Sequence, residues 1–473
     1  MKKSVLLINP PFGLQERYGK ILARFGAISE PLGIAYIASM LELHHISVTI
    51  IDAQVETLST QNIVDQIDKN VYLIGITVLT PMFSAVEELC NQIKKRYPKI
   101  PIVLGGPHAS ALNEQVLEEI PAADIICFGE GELTFLELAK QDYQNLRDVK
   151  GICYRKNGQI SINHARKLIK DIDDIPPPAR HLLPMNRYKL TTSRVMHDTY
   201  CPTLIVARGC RFACTYCSKT FGNTLRKHSI KRIMSEIGVL IHKYRAKQIN
   251  IEADNLTVDK KFVFELCSSL IKKGYHKKLR WTCESRVDTV DEPMLRFMKK
   301  AGCWQISYGV ESGSQRLLDL VHKDTQKSQI EKTFQLTKKA GISIRGFFML
   351  GLPTETVSES RETIEFAKKL DPHWAQFTLT IPYPGTKMFT QLKHKGYLSL
   401  DWDSYNTWNG WIENAKLPYV TSGRTEEELK KLQRTAMREF YFRPKTILRH
   451  LLSIKSIHDL LRDINGAMIL AKH

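Results

Sequence analysis

Continuous apolar runs at 5–9, 48–52, 73–78, 102–106 and 125–129 punctuate the N-terminal third of the chain, with stretches of helical periodicity between them. A run that is apolar at every position predicts a strand buried on both faces, and its alternation with helices predicts a parallel sheet between helical layers. In such open sheets, ligands sit at the carboxyl ends of the strands. Those ends read Asn9-Pro10-Pro11, Asp52-Ala53-Gln54, Thr77-Val78-Leu79-Thr80, Gly105-Gly106-Pro107-His108 and Gly129-Glu130-Gly131-Glu132, where small residues let a large ligand approach the backbone. No Gly-x-Gly-x-x-Gly follows the first run, which disfavours a nicotinamide dinucleotide.

The pattern changes between 141 and 200. Runs at 152–155 and 159–162 flank Asn157-Gly158, a hairpin signal, and Pro176-Pro177-Pro178 then forces extended chain. This reads as a structured linker. From 203 onward, strand-like runs at 204–207, 249–253, 279–283, 305–310, 344–350 and 377–381 alternate with helical stretches. Six strand–helix repeats fit a partial (β/α)6 TIM barrel, with its chemistry at the C-terminal strand ends. Beyond 398 come Trp402, Trp408 and Trp411, then helices predicted over 426–442 and 446–461. The expected fold is therefore α/β: a Rossmann-like (flavodoxin-like) domain at 1–140, a linker at 141–200, a barrel core at 201–395 and a helical C-terminal region at 396–473.

Composition narrows the class. The 473 residues exceed one hydrophobic core, and a hydrophobic content of 43% with 25% charged residues predicts a globular chain and not a disordered one. No apolar run reaches the length of about 18 residues that a spanning helix needs. The basic-then-apolar start resembles a signal peptide, but Asn9-Pro10-Pro11 ends its short apolar run as a strand-to-loop junction. Ten scattered cysteines do not suggest a disulfide scaffold, so a reducing, cytoplasmic setting is expected. The net charge of +19 is spread over helices such as those carrying Lys94-Lys95-Arg96 and Lys430-Lys431; without a recognised RNA-binding motif, nucleic acid is disfavoured. A basic amphipathic segment, Arg443 to His450, offers peripheral contact with a membrane surface or packs on the protein itself.

One cluster carries chemistry. Cys210, Cys214 and Cys217, spaced Cys-x3-Cys-x2-Cys after the first barrel strand, hold a four-iron cluster with one iron left open to a substrate. Zinc prefers four ligands and paired Cys-x2-Cys sets, and no second pair lies nearby.

With Tyr216 inside the triplet, this stretch resembles the signature of radical S-adenosylmethionine (SAM) enzymes. The domain before it resembles the cobalamin-binding domain of the same proteins, through Glu30-Pro31-Leu32-Gly33, Asp52, the Gly-Gly-Pro-His loop and the Gly-Glu-Gly-Glu loop. The resemblance implies three cofactors: a [4Fe–4S] cluster on Cys210, Cys214 and Cys217, SAM, and cobalamin. It implies cobalamin contacts at Asp52, Thr77, Gly105, Gly106, Gly129 and Glu130. It implies SAM contacts at Arg286, in Glu284-Ser285-Arg286-Val287-Asp288; at Glu311 and Ser312, in Gly309-Val310-Glu311-Ser312-Gly313; and at Gly351, in the segment from Gly346 to Pro353.

Two positions depart from the pattern. Gln54 stands where Asp-x-His-x-x-Gly proteins place a cobalt-binding histidine, so cobalt is expected to lack a histidine ligand, and His108 reads as a loop histidine. Ala253 stands where an acidic residue is frequent before Asp254-Asn255-Leu256-Thr257. The implied activity is C-methylation of an unactivated carbon through a 5′-deoxyadenosyl radical. Oxidative cyclisation or ring rearrangement, as in anaerobic magnesium-protoporphyrin ester cyclase, is the alternative, and a non-catalytic cobalamin-binding regulator is the alternative from another class. A flavodoxin-like domain with a vestigial pocket remains open for the first unit. The implied partners are a small-molecule or peptide substrate and an electron donor such as flavodoxin or ferredoxin.

Overall fold

The computed structural model describes residues 3–141, 145–156, 158–196, 200–454 and 457–472. Asn157, half of the hairpin signal, lies outside them. The N-terminal apolar runs form strands β1 (Ser4–Asn9), β2 (Ser47–Asp52), β3 (Val71–Thr77), β4 (Ile102–Gly105) and β5 (Ile125–Cys127), all parallel. Along β1, Val5 and Leu7 pack with Ile34, Leu41 and Phe135, whereas Leu6 and Ile8 pack on the other face with Ile63, Val86 and Leu89. That double burial explains why the run carries no polar alternation. The order β2-β1-β3-β4-β5 is flavodoxin-like and reverses direction between β1 and β3, so a crevice opens where Asn9 and Thr77 end their strands.

A hairpin, β6 (Ile152–Lys156) and β7 (Gln159–Ile162), pairs antiparallel with β5 and extends this sheet to seven strands. After it the chain runs between the two units. Ile169, Ile172 and Ile175 pack against Leu32, Tyr36 and Ile205, and the Ala179 N–H donates to the Ala35 carbonyl at 2.9 Å.

The second unit opens with β8 (Thr203–Ile205), followed by a two-residue ribbon of β9 (Ala207–Arg208) and β10 (Arg226–Lys227). Then come β11 (Gln248–Glu252), β12 (Arg280–Ser285), β13 (Cys303–Glu311), β14 (Ser343–Leu350) and β15 (Trp374–Leu379). They form a parallel six-stranded sheet in the order β15-β14-β13-β12-β11-β8, an open barrel. Ile249, Trp281, Ile306, Ile344 and Phe377 face amphipathic helices such as Ile230–His242 and Glu292–Lys300, and form one core with them. β15 starts three residues before the run at 377–381 and stops two before its end. Pairing with Arg345 and Gly346 draws in Trp374 and Ala375, while Pro382 cannot extend the ladder.

The outer edge of β15 is covered from the C-terminal region. Gln433 donates to the Phe377 carbonyl at 3.0 Å, and the Tyr441 hydroxyl accepts from the Ala375 N–H at 3.1 Å and donates to its carbonyl at 2.9 Å. The helix Glu426–Tyr441 that carries both side chains starts with a capping box of Thr425 and Glu428. The single helix expected over 446–461 is instead two, Pro444–Ser453 and Ile457–Lys472, because Ile454 takes extended backbone (φ −65°, ψ 119°). Basic side chains around the first are held by the protein itself: Arg443, Lys445 and Arg449 all pair with Asp371, at 3.1, 2.9 and 2.7 Å. Among the described residues, no helix is long and apolar enough to cross a membrane.

Candidate active site

The cysteine loop leaves β9 through Gly209, whose φ of +94° is left-handed and whose Cβ, if present, would collide with the Thr224 carbonyl. Its N–H donates to Asp254 Oδ2 at 2.5 Å, so the acidic residue after Ala253 anchors the loop. Lys219 reaches back to the Cys210 carbonyl at 2.8 Å, and Thr215 N–H bonds to the Val321 carbonyl at 3.0 Å. Cys210, Cys214 and Cys217 thereby line one end of a cavity of ≈ 740 Å³ between the two units. A hydrogen bond from the Cys217 thiol, and then the Lys323 and Arg286 cations, outweigh burial and hold the Cys214 thiol below its ordinary range. Thiolate is the form that binds iron.

Two cations close this end. Lys323, 4% exposed, donates to Glu311 Oε1 at 2.9 Å, and the Tyr216 hydroxyl donates to the same oxygen at 3.1 Å. Arg286 spends its fork on Asp288, with Nε and Nη2 both at 2.9 Å, and turns Nη1 toward Cys214 Sγ at 3.4 Å. Glu311 itself has φ +69°, at a bulge where β13 slips against β14. A non-glycine residue held there marks a site whose surroundings enforce the conformation. Gly309 makes room for it, since a Cβ would overlap the Glu311 carboxylate and stand 2.9 Å from Lys323 Nζ.

The opposite wall is the set of strand ends of the first unit. Thr77, Gly105, Gly106 and Gly129 line the cavity, along with Asn9 and Gln54. Gly106 (φ +99°) admits no side chain, because a Cβ would lie 2.9 Å from the Val78 carbonyl. At Gly33 and Gly129 a Cβ would meet nothing within 4 Å, so the backbone faces open space. Gln54 donates to Asn9 Oδ1 at 3.2 Å. His108 is excluded from the lining: its Nδ1 lies 3.1 Å from Thr80 Oγ1, its ring packs on Phe83 and Trp402, and burial pushes it down to about 4.

Between the two walls runs a buried ion network. Arg208, two residues before Cys210, pairs with Glu130 at 2.9 Å and Glu132 at 2.6 Å, and Arg226 pairs with Glu130 at 2.9 Å. Burial raises Glu130, but hydrogen bonds from Arg226, the Ile169 N–H and Arg208 carry it below the usual carboxylate range. Nearby, Arg180 donates to Glu236 at 3.0 Å and to the Thr203 carbonyl at 2.6 Å, with Glu30 at 3.6 Å.

Of the thirteen residues that the resemblance assigns to the cofactors, ten therefore share one cavity: the three cysteines, Arg286, Glu311, Thr77, Gly105, Gly106, Gly129 and Glu130. Asp52, Ser312 and Gly351 do not line it. Asp52 accepts from Tyr188 at 2.7 Å and Asn9 at 2.8 Å, Ser312 bonds to Thr363 at 3.2 Å, and Gly351 rests on Leu429. Lys323 and Arg208 were missed. The donor set suits its cofactors: three thiols beside two cations match an anionic cluster, and a glycine-rich rim matches a ligand lying against backbone. Among the described residues no three His, Cys, Asp or Glu side chains converge on a point where one ion could sit.

Comparison with known proteins places the chain. Residues 18–139 match the B12 binding domain model and 204–367 the radical SAM superfamily model. An uncharacterized methyltransferase of Pyrococcus horikoshii is 34% identical over 451 residues, 94% of each chain. The anaerobic magnesium-protoporphyrin IX monomethyl ester cyclase of Cereibacter sphaeroides is 29% identical, over 80% of this chain and 62% of its own. The fold is shared with the radical SAM methyltransferase TsrM of Kitasatospora setae, solved with cobalamin and a [4Fe–4S] cluster (TM-score 0.68, 16% identity, 84% of this chain and 78% of that one). With both domain models in order along one chain and a relative spanning nearly all of it, the protein belongs to the cobalamin-binding radical SAM family.

Proposed function

We propose that the protein is a cobalamin-dependent radical SAM methyltransferase acting on an unactivated carbon of a small molecule. The observation that carries this reading is the single cavity walled by Cys210, Cys214 and Cys217 at one end and by the glycine-rich strand ends at the other. When bound there, the [4Fe–4S] cluster, SAM and cobalamin supply radical generation and methyl donation. Cys210, Cys214 and Cys217 would hold the cluster, Glu311 and Lys323 the charged end of SAM, and the backbone at Thr77, Gly105, Gly106 and Gly129 the cobalamin. The protein's own work is placement: the Arg208–Glu130 network ties the two walls together, so groups bound at the two ends of the cavity face each other.

The test is anaerobic reconstitution with iron, sulfide, hydroxocobalamin, titanium(III) and SAM. Release of 5′-deoxyadenosine with methylation of a carbon acceptor is the expected result; SAM left intact overturns the reading. The cyclase relative keeps oxidative cyclisation as the second reading, and product mass separates them, since methyl transfer adds a methylene and cyclisation does not. An external electron donor such as flavodoxin or ferredoxin belongs to the reading, and the net charge of +19 suits an acidic one. Peripheral contact with a membrane belongs to it as well, supported by exposed Leu448, Leu451 and Leu452.

Gly309→Ala tests the SAM end. The methyl forces Glu311 off Lys323, so SAM binding, measured by equilibrium dialysis on the reconstituted protein, weakens about tenfold or more while overpacking costs about 1–3 kcal/mol of stability. SAM affinity equal to wild type would remove Glu311 and Lys323 from that role.

A further inference from the structure

A second cavity, of ≈ 370 Å³, lies where the barrel meets the N-terminal helix and the last two helices. Its walls are apolar, among them Leu22, Phe25, Trp374, Leu451, Ile464 and Leu470. Arg345, from β14, lines it too and is 6% exposed. Its Nη2 donates to Gln376 Oε1; among the described residues its Nη1 has no hydrogen-bond partner and no carboxylate lies within ion-pair distance. Glu284, a source of negative potential at Arg345, is itself paired with Arg194. Elsewhere in the lining, the His450 ring and the Asp463 carboxylate face each other at 3.4 Å.

A guanidinium held in an apolar box without a counter-charge is costly unless something supplies one. Its planar fork suits a carboxylate or phosphate. Arg345 also fixes which end of the cavity is polar. It stacks at 4.8 Å on Phe347, which lines the cofactor cavity, whereas the lining residues Leu451, Leu460 and Ile464 of the last two helices are exposed by 57, 39 and 46%.

We propose that this cavity binds an amphiphilic anion, an alkyl or isoprenyl chain ending in a carboxylate or phosphate. The anionic end sits on Arg345 and the chain lies between the two C-terminal helices. The site stands on the cavity and its unpaired cation, not on the cofactor chemistry proposed above.

The test uses the full-length protein without added cofactors and follows tryptophan emission, since Trp374 and Trp408 line the cavity. Dodecyl phosphate, titrated below its micelle concentration, is expected to bind saturably, and dodecanol about tenfold more weakly. R345M is expected to weaken dodecyl phosphate about tenfold and leave dodecanol unchanged. A467F, which fills the cavity from an exposed helical position, is expected to abolish binding of both with an unchanged melting temperature, and it decides the matter should R345M fail to fold. Flotation with phosphatidylglycerol vesicles that A467F abolishes supports the proposal with a membrane lipid as the source. Dodecyl phosphate binding without flotation supports it with a free amphiphile. Equal affinity for dodecanol and dodecyl phosphate, no saturable binding, or full binding by A467F overturns it. Failure of the reconstituted enzyme to cleave SAM leaves these binding results as they are.

Discussion

Cys214→Ala protein is expected to fold, bind cobalamin and yet release no 5′-deoxyadenosine, a complete loss of radical chemistry. The triplet has no spare member, so losing one thiol leaves two ligands for a cluster that already offers one iron to substrate. Removing a single buried sulfur costs only about 1 kcal/mol, so the melting temperature stays within a few degrees of wild type. Cys90→Ala is the control. That thiol is fully buried among Leu89 and Ile93 in the first domain, where burial pushes it far above its ordinary range, and its variant keeps iron and activity. Iron and sulfide analysis with 5′-deoxyadenosine assay reads both variants. A Cys214→Ala protein with full iron content and undiminished SAM cleavage would refute the assignment.

Arg208→Ala is expected to lose about 3–5 kcal/mol of unfolding free energy, because it strands Glu130 and Glu132 in a buried interface where, among the described residues, Arg226 alone remains ion-paired to them. The double variant Arg208→Met with Glu132→Gln regains part of that loss by removing the orphaned charge along with its partner. The pH dependence has a definite sign. Glu130 is held below its ordinary value in the folded state, so its stabilising contribution is complete above the usual carboxylate range and fades as pH falls through the lowered folded value. Denaturant titrations at two pH values measure both effects. An Arg208→Ala midpoint equal to wild type would mean that the ion network does not hold the domains together.

The strands of both sheets were legible because burial on two faces leaves an uninterrupted apolar run, as in β1, where Leu6 and Leu7 belong to different cores. The cluster loop was legible because its ligands are neighbours in sequence. Contacts made across long separations were not. Arg208 meets Glu130 across 78 positions, and nothing in its sequence neighbours Gly209 and Cys210 points to that partner. Glu130 was expected as a cofactor contact, and although it lines the cavity, its oxygens are taken by Arg208, Arg226 and the Ile169 N–H. Lys323 is one of many lysines, and only the fold of the segment after β13 brings its ammonium back to Glu311. Asp52 ends a strand as a ligand-binding acid would, yet it faces Tyr188. The break at Ile454 left no mark in the periodicity either, since the helices on both sides of it are amphipathic.

The side chains of Gln433 and Tyr441, reaching the main chain of β15 from some sixty residues onward, make the barrel and its C-terminal extension a single cooperative piece. A gene fragment stopped after β15 would carry every motif of the radical core and still yield poor protein. Its last strand would offer open amide and carbonyl groups to any neighbour, and inclusion bodies would follow from bare backbone and not from lost chemistry.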